Sequence, residues 1–216
     1  MRMIQASAVL VLIVFWSGAG ADCDPPSSAQ LLNFDAYAQQ TDTWCWAASG
    51  QMTMNHVDKD SVPSQCAAVN KRWNRNDCCT TPGNCLFTSD LPPLYEAYGF
   101  EYEATSDDLE LPPADRALPW EEIKEQIYCK KKPFAFSWWS KASMYTSGHV
   151  MVAIGYKETG GKRFVTYIDP YPVVDSDGPI PHDGRLVTVT YATYIKRRSG
   201  PEAHIHGTAY YDISKK

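Results

Sequence analysis

The chain has 216 residues, 44% of them hydrophobic, which is enough to bury one core and too few for several domains. A formal net charge of −5, with runs of Lys or Arg no longer than three residues, gives no electrostatic reason to expect nucleic acid or an anionic membrane surface as partner. Residues 1–21 differ from the rest: Arg2 opens them, VLVLIVFW runs from Val9 to Trp16, and small residues close them at Ala21. This is the layout of a cleaved secretory signal. The apolar run is well short of the roughly 20 residues that span a bilayer. Asp22, immediately before Cys23, disfavours a lipoprotein signal. No later segment is long and apolar enough to cross a membrane, so a secreted or periplasmic protein without an integral membrane segment after signal removal is expected.

Export makes the cysteines interpretable. There are seven, at 23, 45, 66, 78, 79, 85 and 129. Thiols pair in an oxidising compartment, so an odd number leaves one over, and Cys45 is the candidate. Adjacent Cys78 and Cys79 are sterically poor partners for each other, so each is expected to reach a different cysteine in QCAAVNKRWNRNDCCTTPGNC. Cys66 and Cys85 would take one each, leaving Cys23 for Cys129, one of fifteen possible connectivities. Zinc is a poorer reading of the cluster, since no CxxC pair is present.

In QQTDTWCWAAS, Gln39 to Ser49, the good helix formers after Cys45 and the Thr/Asp-rich lead-in predict a helix starting at the cysteine, with the lead-in side chains as caps. A thiol in a helix's first turn meets exposed N–H groups and the positive dipole end, which favour the thiolate. Further helices are expected from Asp90 through LPPLYEAYG, stopped at Gly99, and over PWEEIKEQIYC with Ile123 and Ile127 on one face. Strands follow at PFAFSWW, HVMVAIGY, RFVTYID, RLVTVTYATYI and TAYYDI. Among the histidines, His56 lies about three turns beyond Cys45 on the same helix, too far to touch its sulfur. His182, in DGPIPHDGR, and His204 and His206, in AHIHG, read as solvated loop or strand residues; a two-histidine metal site at 204–206 lacks a nearby third ligand. His149 opens an apolar strand directly after a glycine, where an imidazole is held rigidly. The Gly160–Gly161 turn folds the next strand back on it, so that Asp169 can lie beside His149 and accept its second N–H. Read alone, Asp169 before Pro170 is equally a turn-starting residue.

A Gln, a helix-starting Cys followed by Trp, a Gly-His at a strand start and a later Asp-Pro together resemble the papain-like cysteine peptidases. The chain is most similar to the exported bacterial branch with a WCWAA signature, related to the bacteriocin-processing (double-glycine) peptidases. WCWAAS, the QC…CC…C cluster, WEEIKEQIYCKKKPF, GHVMVAIGYK and YIDPY fall in the expected order over most of the mature chain. The resemblance implies an α+β, papain-like fold: a helical half, residues 22–115, carrying the nucleophile, packed on an antiparallel sheet half, residues 116–216. It implies Cys45 as nucleophile, His149 as base and then acid, Asp169 as its orienter, and Gln39 as oxyanion donor with Gln40 the alternative. It implies a protein or peptide substrate, no cofactor or metal, and a monomer. The chain departs from the plant-type members, which carry Asn as third residue and a long inhibitory prosegment. Only about 17 residues separate Ala21 from Gln39. No accompanying transporter domain is present, so a leader-peptide substrate does not follow. A transglutaminase-like acyltransferase shares the thioester stage, and a binding module without turnover shares the fold.

Overall fold

The computed structural model describes residues 23–140, 148–172 and 183–216; the signal sequence expected at residues 1–21 and His182 lie outside the described residues. In chain order the elements are β1 (Gln30–Leu31), α1 (Cys45–Val57), α2 (Gln65–Trp73), α3 (Pro92–Ala97), β2 (Phe100–Ala104), α4 (Pro113–Arg116), α5 (Trp120–Lys124), β3 (Phe134–Ser140), β4 (Gly148–Thr159), β5 (Lys162–Asp169), β6 (Arg185–Thr190), α6 (Tyr191–Ile195), β7 (Lys196–Arg197) and β8 (His204–Lys215). The strands form one antiparallel sheet in the order β2-β8-β3-β4-β5-β6, with β1 pairing on β4 and β7 on β8. This is the α+β architecture of a papain-like fold.

Strand β4 is apolar at nearly every position because both of its faces are covered. Val150 and Val152 pack on the side of α1, while Met151 and Ala153 pack on the opposite side with Trp120 and Ile123 of α5 and Tyr194 of α6. The core is therefore split in two by the sheet, and the strand that carries His149 runs through its middle. Ser49 Oγ on α1 donates to the carbonyl of Val150 at 3.0 Å in a fully buried bond. That bond fixes the register of the helix against the strand.

Helix α1 begins at the expected residue, but its lead-in does not cap it. The N-cap is Trp44, which makes no side-chain cap bond. The helix ending before Gly99 starts at Pro92, and its N-cap is Leu91, not Asp90; Gly99 (φ +70°) takes the left-handed conformation that stops it. Residues 120–129 are helical as expected, changing to π geometry over Glu125–Cys129, with Ile123 and Ile127 both buried. RLVTVTYATYI is not one strand. After Thr190 the chain turns into α6, because the Thr190 hydroxyl accepts from Thr193 N–H at 3.1 Å and Tyr194 is drawn into the core against Phe136. The β-branched composition argued for a strand, and tertiary packing overrode it. No helix among the described residues is long and apolar enough to cross a membrane.

Candidate active site

The two tryptophans flanking Cys45 are buried anchors. Trp44 Nε1 donates to the Cys85 carbonyl at 2.7 Å and Trp46 Nε1 to the Phe87 carbonyl at 3.1 Å. Both indoles are essentially fully enclosed. The acceptor segment is held by disulfides: Cys78–Cys85 and Cys66–Cys79, with Cα–Cα separations of 5.5 and 4.9 Å. A third bridge joins Cys23 to Cys129. Cys45 is the free cysteine among the described residues, half-buried at the first position of α1. With no side-chain cap at Trp44, the first-turn N–H groups stay available to an anion at the helix start.

His149 faces this sulfur from the first turn of β4. Its Nε2 donates to Asp169 Oδ1 at 2.7 Å, which leaves Nδ1 for the thiol. The Cys45 and His149 side chains are close enough for each to shift the other's ionisation. Asp169 is almost fully buried and saturated: Oδ1 also accepts from Tyr171 N–H at 2.9 Å, and Oδ2 accepts from Arg185 Nη2 at 2.8 Å. The Asp-Pro turn and the histidine partner are thus one residue doing both things. Arg185 sits directly across from Asp169 in the β5–β6 register.

The charges follow from these contacts. Burial pushes the Cys45 thiol up, but the hydrogen bond and charge of His149, with backbone bonds at Val150 and Trp46, outweigh it and hold the thiol below its ordinary value. Burial pulls the His149 imidazole down, and its bonds to Asp169 and Cys45 more than reverse this. Burial likewise pushes Asp169 up, while His149, Tyr171 and Arg185 hold it below the usual carboxylate range. All three shifts run toward a thiolate beside an imidazolium backed by a carboxylate. Such a pair can attack an electrophilic carbonyl and return a proton to the departing group.

Gln39 and Gln40 differ sharply. Gln39 is buried and its Nε2 donates to the Thr41 carbonyl at 2.8 Å, keeping one further N–H; no hydrogen bond joins it to Cys45 or His149. Its backbone N–H donates to the Pro170 carbonyl at 2.8 Å, tying it to the turn that carries Asp169. The Gln40 side chain is exposed. Buried Gln65 clamps the loop, accepting from Gln40 N–H at 2.9 Å and donating to the Ala38 carbonyl at 2.8 Å. Arg185 and Gln65 carry no motif in the sequence; only the strand register and the α2 docking bring them here.

The other histidines are placed elsewhere. His56 Nε2 meets the Lys131 carbonyl at 2.8 Å. His204 and His206 are buried strand residues, not solvated ones: His204 stacks on Trp138 with ring centres 3.6 Å apart, and His206 stacks on Phe136 at 5.7 Å. Strand β7 pairs along β8 here and the α6 carbonyls of Thr193 and Tyr194 meet the His204 and His206 rings, which removes the solvent these polar residues suggested. Among the described residues the one grouping of metal-type ligands is Asp77, Cys78 and Cys85, whose cysteines are bonded to each other.

Two cavities meet at Gly148. One, of about 560 Å³, is lined by Cys45, Trp46, Trp139, Val150 and Tyr210. The other, of about 340 Å³, is lined by His149, Asp169, Trp138, Tyr167 and Val187. The model of the Peptidase_C39 like family matches residues 31–194 of this chain, a span that contains Gln39, Cys45, His149, Asp169 and Arg185. No curated protein matches it.

Proposed function

Because the chain belongs to the Peptidase_C39 like family, and so stands among the cysteine peptidases, we propose that it hydrolyses peptide bonds through a Cys45 thioester. In this reading the Cys45 thiolate attacks the scissile carbonyl. The oxyanion is held by the Cys45 backbone N–H and the spare Gln39 amide hydrogen. His149 gives its proton to the leaving amine, then removes one from the water that releases the acyl group. Asp169 holds the imidazole in the tautomer with Nδ1 toward sulfur, and Arg185 holds Asp169. The observation that carries this reading is an unpaired thiol electrostatically coupled to His149, whose imidazole is hydrogen-bonded to Asp169.

Residues 22–216 are read as the peptidase domain and 1–21 as a secretory signal, with the protein exported as a monomer of the WCWAA branch. Three disulfides and the absence of a membrane-crossing helix among the described residues are consistent with an extracellular or periplasmic setting.

The test is Cys45→Ala. Turnover of an unfolded protein such as casein should fall by about 10³-fold or more, with an unchanged melting profile. Wild-type turnover in that variant would remove Cys45 from the chemistry.

A further inference from the structure

The two cavities lie on opposite sides of the Gly148–His149 start of β4, and the chemistry assigns each a different half of a substrate. The acyl half becomes bonded to Cys45 sulfur, so it occupies the cavity lined by Cys45. The leaving half departs as an amine that His149 must protonate, so it occupies the cavity lined by His149 and Asp169. We propose, on the premise of the peptidase reading above, that the cavity behind His149 is a specificity pocket for a large uncharged side chain, aromatic or Leu/Met-like, on the residue directly after the scissile bond.

The walls and rim point to that chemistry. Trp138, Met151, Tyr167, Val187 and Val189 present carbon surface to a space of about 340 Å³, within the size range of small-ligand pockets. The polar groups at its edge are already committed. Arg185 is paired with Asp169 at 2.8 Å, and Arg197 is paired with Glu202. His204 has both ring nitrogens against backbone carbonyls, Glu202 at 2.8 Å and Thr193 at 2.9 Å, and its ring face is on Trp138. A charged side chain entering here would lose water and find no free counter-charge among the described residues, whereas an apolar one exchanges water for carbon contacts. Glycine would leave the space unfilled.

The experiment uses matched peptides that differ only in the residue after the cleaved bond: Phe or Leu against Gly, Asp or Lys. Burial of one large apolar side chain predicts kcat/KM about ten- to a hundred-fold higher for the Phe and Leu peptides. Val187→Trp and Val189→Phe fill the cavity from the half-buried edge strand β6, which contributes no lining residue to the cavity of Cys45. In either variant the preference should fall to about three-fold or less as the apolar gain is lost, while the rates for the Gly peptide and for iodoacetamide alkylation of Cys45 stay at wild-type values. Equal wild-type rates on Phe and Gly peptides, or full preference in both folded variants, would overturn the pocket assignment while leaving the peptidase reading in place. Absence of any Cys45-dependent cleavage across the set would overturn that reading, and the pocket with it.

Discussion

At the scale of single residues, the decisive feature is that three groups each opposed by burial are shifted toward their charged forms by one another. Cys45 is lowered, His149 raised and Asp169 lowered, in every case against a desolvation that pushes the other way. The thiolate is the form that alkylates, so a lowered thiol value moves the reactivity curve toward acid. Alkylation of Cys45 by iodoacetamide should reach its half-maximal rate below about pH 8.5, the ordinary thiol value. Removing the stabiliser reverses the sign, because burial alone raises the thiol. Asp169→Ala weakens the imidazolium and should shift the curve upward; Asp169→Asn, whose amide oxygen still accepts from Nε2, should shift it less. Superimposable curves for wild type and Asp169→Ala would show that the carboxylate does not govern the pair.

Elements hold these residues through a few close approaches. Strand β1 pairs with β4 at Gly155: a Cβ there would sit 2.7 Å from the Gln30 carbonyl oxygen and 2.8 Å from Leu31 Cδ1. The first of these is backbone, so no side-chain rotation relieves it. Gly155 also stands where the β4–β5 register shifts. Gly155→Ala should therefore cost about 1–3 kcal/mol by overpacking, and should expose the Leu32 N–H, bonded to the Ile154 carbonyl at 2.9 Å, to rapid hydrogen exchange. An unchanged melting temperature with full Leu32 protection would mean that β1 tolerates the methyl. The tryptophan anchors act at the same scale. Helix α1 is oriented by carbonyls of a disulfide-bound segment some forty residues away, not by its own lead-in.

For the whole molecule, covalent links decide how far the unfolded chain can spread. Cys23–Cys129 closes a separation of 106 residues, against 13 for Cys66–Cys79. On the chain-entropy account these contribute about 4.7 and 3 kcal/mol. The double variant Cys23→Ser/Cys129→Ser should melt at a lower temperature than Cys66→Ser/Cys79→Ser, and the reverse order would show that the long loop is already compact when unfolded. Much of this organisation was legible in the sequence. The odd thiol, the helix starting at Cys45, the strands around His149 and Asp169 and the hairpin between them rest on parity, propensity and periodicity. These are properties of neighbouring residues, so they survive without a fold. Other features depended on the tertiary structure. RLVTVTYATYI divides into strand and helix because Tyr194 is taken into the core. The choice between Gln39 and Gln40 as the buried glutamine rests on Gln65, twenty-five residues on. Arg185 reaches Asp169 only because β6 pairs with β5 in one register. The orientation of Cys45 depends on carbonyls at Cys85 and Phe87. Each of these is a contact between distant segments, whose existence is set by sheet register and helix docking, and no local pattern of side chains encodes that geometry.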